Sequence, residues 1–431
     1  QKSPDIIWVG TGEGNPRNSQ SMGNGVYRSL DAGQTWQHMG LENTRTIHRI
    51  FVHPDDPNTV WVGAQGNAWA DSPERGVFKT TDGGKTWKKV LFVNNRTGIA
   101  DLTIDPTNPN KLIAGMWEYR RWPWFFKSGG EGSGIYVSVD GGENWTKRTS
   151  DDGLPEGEIG KTAIAIAPSN PEVVYALVET KKNALYKSID GGKKWAKVQD
   201  QDVGDRPFYY WDLRVDPKNE NTLYNVYGIV KVSIDGGKTF ETLAGGDKVH
   251  VDHHMFYVLP TDASLMLDGN DGGAYISRDR GKTWHFVENL PVGQFYHVNV
   301  DMATPYNVMG GMQDNGSWRG PSQSLHNGGI RNGYWDEIAF GDGFDVVPVP
   351  GDLRYGYGMS QGGFLSYLDF ETGFSQFIKP NHPDNVFLRF NWNAGIAQDP
   401  FEANTIYYGS QFIHKSTDRG QNWSLISSDL T

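Results

Sequence analysis

Seven times in this chain a short run of one form recurs: SLDAGQTW from Ser29, TTDGGKTW from Thr80, SVDGGENW from Ser138, SIDGGKKW from Ser188, SIDGGKTF from Ser233, SRDRGKTW from Ser277 and STDRGQNW from Ser416. An Asp carboxylate in such a run can accept from backbone N–H groups of its own loop, while Gly supplies the freedom to adopt positive φ. The run is therefore a tight turn, and its flanks are strands: Gly76–Thr80 leads into the second copy and Trp87–Leu91 leaves it. A chain punctuated this way folds as a series of antiparallel hairpins.

The first six runs start roughly 45–60 residues apart, and the gap before the seventh is about three such periods, which predicts two further units without the turn. Their strands are expected at Phe295–Val300 with Asn307–Gly311 and at Phe344–Pro348 with Tyr355–Met359. Five of the units also carry an earlier, Pro-containing turn: HPDDPN from His53, DPTNPN from Asp105, APSNPE from Ala167, DPKNEN from Asp216 and DPFEAN from Asp399. Helical periodicity is absent. The expected fold is all-β, with about nine units of four antiparallel strands, near 1–40, 47–91, 99–149, 161–199, 208–244, 249–289, 294–340, 343–380 and 390–427. The first unit lacks an innermost strand, because Ser3-Pro4-Asp5 already forms its first turn; the 431 residues are thus expected to be an excerpt of a longer protein.

With 54 Gly and 13% aromatic residues the composition suits short strands and tight turns around a substantial core. A net charge of −11 argues against nucleic acid as a partner, since binding there rests on Lys and Arg neutralising phosphates. No stretch approaches the ~20 consecutive apolar residues of a membrane-spanning helix. There is no Cys, which excludes disulfides and thiolate chemistry.

The S-x-D-x-G-x-T-W run resembles the Asp-box, or BNR repeat, of sialidase-like, xyloglucanase-like and sortilin-like (Vps10) β-propellers, and the resemblance covers essentially the whole chain. It implies propeller blades, arranged as one large ring or as parts of two packed propellers. It also implies a secreted, cell-surface or periplasmic protein of bacterial type. In those propellers the box is a turn staple and not the active site, so function is sought elsewhere. The catalytic Asp positions of xyloglucanase-like enzymes are not matched residue by residue.

In a four-stranded meander the Pro turns and Asp-boxes share one face, and the longer, varied loops share the other, where binding normally resides. These loops are 10–25, 64–76, 115–134, 200–211, 245–254, 268–274, 310–329, 333–345 and 379–393. The third, GMWEYRRWPWFFKSGGEGSG, sets Trp117, Trp122 and Trp124 beside Glu118 and Arg121. Exposed aromatics flanked by charges suit sugar rings or a protein partner; the alternative is that such a loop folds onto itself. Trp69 and Arg75, Arg389 and Trp392, and Arg17 with Glu13 and Asn15 extend the same face.

Asp271 in DGNDGG and Asp314 in GGMQDNGSW occupy corresponding loops of adjacent units, and Asp342 and Asp345 begin the next. Paired carboxylates are what glycoside hydrolysis requires, although Asp beside Gly is also the ordinary composition of a turn. Asp271 and Asp314 are the candidate catalytic pair. Strand alternation in His250–His254 would send His250, Asp252 and His254 to one side, a possible metal set. No convergent ligand from another segment is identifiable, so no metal or cofactor is expected; His254, with a hydrogen-bonded role near Asp271, is placed with Asp342 and Asp345 among the candidate ligand-binding residues. The functional expectation is a propeller that binds a polysaccharide or protein partner on its loop face. The alternatives are an endo-acting glycoside hydrolase and a scaffold within a surface assembly.

Overall fold

The computed structural model describes residues 3–17, 20–290 and 292–431; Gln1, Lys2, Pro291 and, within the 10–25 loop, Asn18 and Ser19 lie outside the described residues. The chain divides into two compact units, Gln1–Val287 and Glu288–Thr431. Among the described residues all regular structure is β apart from four single 3-10 turns. No helix of the described residues is long and apolar enough to cross a membrane.

The first unit holds six antiparallel sheets in which consecutive strands pair, except that in the third Phe125–Ser128 folds back on Leu112–Trp122, which also pairs with Gly134–Ser138. Sheet 1 has three strands, Ile7–Gly10, Val26–Ser29 and Gln37–His38. Sheets 2 to 6 open at Ile47–Val52, Thr97–Ile104, Thr162–Ile166, Asp212–Asp216 and His253–Val258. The second unit holds three sheets of four strands, sheets 7 to 9, opening at His297–Val300, Gly343–Pro348 and Ile396–Gln398. Nine sheets of this kind are the propeller blades that the repeat predicts. The two without an Asp-box carry strands Asn307–Gly311 and Tyr355–Ser360.

Both faces of a middle sheet are buried, which is why a second strand such as Val174–Val178 (VYALV) is apolar at every position and fully buried. Its even-numbered side chains, Val174 and Ala176, join Ile113, Ile135 and Ile164 in the core between sheets 3 and 4. Tyr175 and Leu177 join Leu213 and Leu223 in the core between sheets 4 and 5. In the second unit Phe344, Tyr357, Leu365, Ile406 and Tyr408 fill the equivalent layer between sheets 8 and 9.

All seven Asp-boxes have one wiring. In the box from Thr80, the Thr80 hydroxyl donates to Asp82 at 2.7 Å and accepts from Gly84 N–H at 3.0 Å, while Asp82 accepts from the backbone and hydroxyl of Thr86 at 3.0 and 2.6 Å. Two consecutive residues sit at positive φ, Gly83 at 73° and Gly84 at 88°. The first of these is not Gly in three boxes, where Ala32, Arg280 and Arg419 take φ of 60°, 63° and 60°. In five of the boxes the closing Trp binds either its own turn, as Trp145 Nε1 does at Gly142 O (2.9 Å), or the preceding sheet. Trp87 Nε1 donates to Met39 O at 2.7 Å, and Trp423 Nε1 to Ile378 O at 2.8 Å.

Candidate functional site

The first unit gathers its chemistry where the 10–25 loop, the 200–211 loop and the entry to sheet 6 meet. His254 lies at the centre. Asn15 Nδ2 donates to its Nδ1 at 2.9 Å, so Nε2 carries the ring proton and donates to Asp271 Oδ1, also at 2.9 Å. The imidazole packs against the rings of Tyr209 and Tyr210, with centroids 5.1 and 5.6 Å away. Tyr210 donates its hydroxyl proton to Asp252 Oδ1 at 2.7 Å and accepts from Arg206 Nη1 at 3.0 Å. A carboxylate oxygen of Asp252 comes within 4.8 Å of one of Asp271. Burial, followed by the hydrogen bond to Asp252, holds the Tyr210 phenol well above its ordinary value, so it remains a donor across the working pH range.

The placement of His254 beside Asp271 agrees with the hydrogen-bonded role, but the alternation that grouped His250, Asp252 and His254 is corrected. The strand begins only at His253, after Asp252 at φ 65°, and a register shift falls between His253 and Met255. His250 Nδ1 bonds the Val251 carbonyl instead (2.9 Å). The fully buried imidazole is that of His253, whose Nδ1 meets Asp268 at 2.8 Å.

Beneath this cluster the first strands of sheets 2, 3 and 5 carry a buried ionic network. Arg49 meets Asp101 at 2.8 Å and Asp212 at 3.2 Å. Burial alone would lower the Arg49 guanidinium, but Asp101 and Asp212 outweigh it and keep it charged. Lys161, 1% exposed, donates from Nζ to Tyr210 O at 2.7 Å; burial and then the Arg49 charge push it down to about 8. The network thus anchors the Arg206–Trp211 segment from below. Sequence reasoning noted neither the network nor Tyr209 and Tyr210, and the available signal was the aromatic run FYYW from Phe208 directly before a strand.

The 115–134 segment is not a loop. Leu112–Trp122 continues as an 11-residue strand and turns at Pro123-Trp124 into Phe125–Ser128. Both faces of this strand are covered from Leu112 to Tyr119, so the expectation of an exposed Trp117 is corrected: it is fully buried, stacked on Tyr119 at 4.3 Å, with Nε1 donating to Ser128 Oγ at 2.9 Å. Arg75 is likewise buried, binding the carbonyls of Arg96 and Asn67 at 2.7 and 2.6 Å. Glu118 is buried and accepts from Gly132 N–H at 3.1 Å, and Arg121 is buried with Nη2 on Pro16 O at 3.3 Å. Trp69 packs against the Trp117 cluster. Trp124 is 83% exposed, and Trp122, half-buried under Arg120, lines a shallow groove with Asp71, Arg96 and Lys127.

In the second unit the 310–329 segment also contains a strand, Ser317–Pro321. Asp342 is buried and ties two loops together: it accepts from Asp314 N–H at 2.8 Å and from Trp392 Nε1 at 2.7 Å. Asp314 itself is exposed, at φ 57°. Asp345 pairs with His297 at 3.0 Å, and Arg389 with Asp429 at 2.9 Å.

A model of the Sortilin-Vps10 family (sortilin, neurotensin receptor 3) matches residues 24–147, and a BNR/Asp-box repeat model matches residues 275–286. The chain is 25% identical over 436 residues to a xyloglucanase of Paenibacillus sp, across 93% of this chain and 36% of that protein. It is 27% identical over 155 residues to a xyloglucanase of Hypocrea jecorina (strain QM6a), across 36% of this chain and 16% of that protein. It therefore spans little more than a third of the first relative's length and less of the second's. The solved GH74 xyloglucanase from Xanthomonas campestris aligns over 99% of this chain and 77% of its own at 14% identity, with a TM-score of 0.43.

Proposed function

For a chain that belongs to the Asp-box (BNR) repeat propellers and is similar to xyloglucanases, we propose the role of a secreted or cell-surface protein that acts on a polysaccharide at the loop cluster around His254, as a glycoside hydrolase. The observation that carries this reading is the similarity to a xyloglucanase over 93% of the chain, in which two carboxylates stand close together on the loop side of one unit. Glycoside hydrolysis needs one carboxyl group as acid and another as base or nucleophile, and retaining enzymes set them about 5 Å apart. Asp252 and Asp271 supply such a pair within the first unit. The Tyr210 hydroxyl and His254 Nε2 orient the two carboxylates.

Each of those hydrogen bonds also favours a second reading, in which the carboxylates are fixed contact groups and the face recognises a glycan or protein partner without cleaving it. A panel of polysaccharides scored for both retention and reducing-end release separates the two. The expected result is release from a retained polymer, lost by at least about a hundredfold in both Asp271→Asn and Asp252→Asn, with retention unchanged, the scale of one general acid or base. Polymers that are retained and never cleaved would leave only the recognition reading.

A further inference from the structure

Of three consecutive residues, Asp252 and His254 bring their side chains to the site, while the middle one, His253, turns inward and is buried. Its imidazole donates from Nδ1 to the two oxygens of Asp268, at 2.8 and 2.9 Å, and Asp268 is buried with it. The path continues toward the site. Asp268 Oδ2 also accepts from Asn270 Nδ2 at 2.8 Å, and Asn270 Oδ1 accepts from the Gly272 N–H at 3.0 Å. The turn held in this way, between strands Met266–Asn270 and Gly273–Ser277, is the one that carries Asp271. Asp271 N–H donates to the Asp252 carbonyl at 3.2 Å, which closes a ring of hydrogen bonds from one carboxylate-bearing segment to the other.

We propose that His253 and Asp268 are positioning residues: acting through Asn270, they fix the Asp271 turn against the Asp252–His254 segment and so set the separation of the two carboxylates. The inference rests on the hydrolase reading above and names what aligns its acid and base. Three features support it. His253 Nε2 is buried with no hydrogen-bond partner among the described residues. A buried nitrogen left unpaired costs free energy that an apolar side chain would not, so what the imidazole contributes is its Nδ1 bond to Asp268. The segment bearing it is itself anchored, with His253 N–H donating to Tyr227 O and Asp252 N–H to Gly228 O, both at 2.9 Å, so it is a fixed base for the turn. Asp252 also holds φ at 65°, a sparsely populated conformation that persists where the surroundings impose it, as they do at sites that aim a side chain.

The test uses the intact chain and two readouts. NMR of the imidazole nitrogens in a histidine-labelled protein follows His254, whose signals are identified by their loss in His254→Gln; the parent is expected to show the single Nε2–H tautomer that Asn15 and Asp271 impose. Asp268→Asn sets an amide NH2 against Asn270 Nδ2. It is expected to free the turn, so that His254 shows mixed tautomers. On xyloglucan, or on whichever polymer of the panel the parent cleaves, it is expected to lower kcat about tenfold with KM changed by less than about twofold, the split that follows when reacting groups lose alignment. Exchanging the pair, Asp268→Asn with Asn270→Asp, again sets donor against acceptor along the whole path and is expected to restore both tautomer and kcat. Asn270→Ala breaks the path at a half-buried residue, leaves the His253–Asp268 bond in place and is expected to reproduce the loss; it carries the test if Asp268→Asn does not fold. A single Nε2–H tautomer kept in Asn270→Ala would overturn the proposal. So would an exchanged pair that regains the parent's unfolding temperature but not its tautomer, or a raised KM at unchanged kcat. If the parent cleaves no polysaccharide, the hydrolase reading falls, and the His254 tautomer alone decides whether this path positions the turn.

Discussion

Replacing Trp117 by Ala is expected to destabilise the first unit by about 3–5 kcal/mol, the cost of deleting a large aromatic from a packed interior. The side chain is fully buried among Ala68, Ala100 and Tyr119, with Trp69, Phe126 and Phe208 packed around them. The loss has several parts. Its ring contacts with Tyr119 and Phe126 disappear, and Ser128 Oγ loses the indole donor while still donating to Glu179 at 2.7 Å. The neighbours come from separate strands of sheet 3 and from loops, so they cannot collapse together to fill the space. Trp117→Phe keeps most of the volume and is expected to cost much less, whereas Trp124→Ala, at an 83% exposed position, is expected to stay within about 0.5 kcal/mol of the parent. Denaturant unfolding of the three variants checks the order. A Trp117→Ala protein as stable as the Trp124→Ala protein would show that the hairpin packing is not what holds this segment.

Acid is expected to unfold the protein steeply between about pH 4 and pH 2, with an uptake of about seven protons traceable to the Asp-boxes. Hydrogen bonds from Thr35 and Ser29 hold Asp31 down to about 2, and Asp140, Asp235 and Asp279 are held at about 2 by the equivalent donors of their own turns, led by Asn144, Thr239 and Thr283. Asp82 and Asp418 are lowered in the same way by Thr86 and Asn422, and at Asp190 the Lys194 and Ser188 bonds outweigh its slight burial. The sign is fixed by the direction of these shifts. A carboxylate whose folded pKa lies below its unfolded value of 3.8 contributes stability that is present above that value. That contribution is lost as pH falls through the folded value, because the unfolded chain takes up the proton first. Melting temperature recorded against pH, with proton uptake measured by titration, checks this. Asp140→Asn should remove one proton from the uptake, and an uptake of only one or two protons in the parent would contradict the account.

Much of this was legible because the Asp-box is a local device. Every donor and acceptor in it lies within a few residues, so SIDGGKTF or STDRGQNW announces its own turn, and the spacing of the turns implies the sheets between them. The candidate site was legible only where its residues fell on long loops, as with Asn15, Arg17 and Asp271. What brought them together was not: Asn15 and His254 are 239 positions apart, and nothing in either segment points to the other. The error at Trp117 has a simple origin. A run rich in charges and aromatics looks like a recognition loop, but a strand longer than its neighbours carries it into the fold and buries Trp117, Glu118, Tyr119 and Arg121. At His250–His254 alternation was assumed where Asp252, at φ 65°, interrupts it.

The backward reach of the closing Trp has a consequence for synthesis on the ribosome. Trp87 bonds to Met39 and Trp423 to Ile378, in each case to a carbonyl that left the peptidyl-transferase centre earlier. A blade of some 45–50 residues takes seconds to emerge at about 5–20 residues per second, whereas a hairpin closes in about 1–10 μs. Every sheet therefore has its full set of partners available before translation supplies the next one. Assembly can follow the order of the message, with Trp87 and Trp423 each fastening its blade to a neighbour already in place.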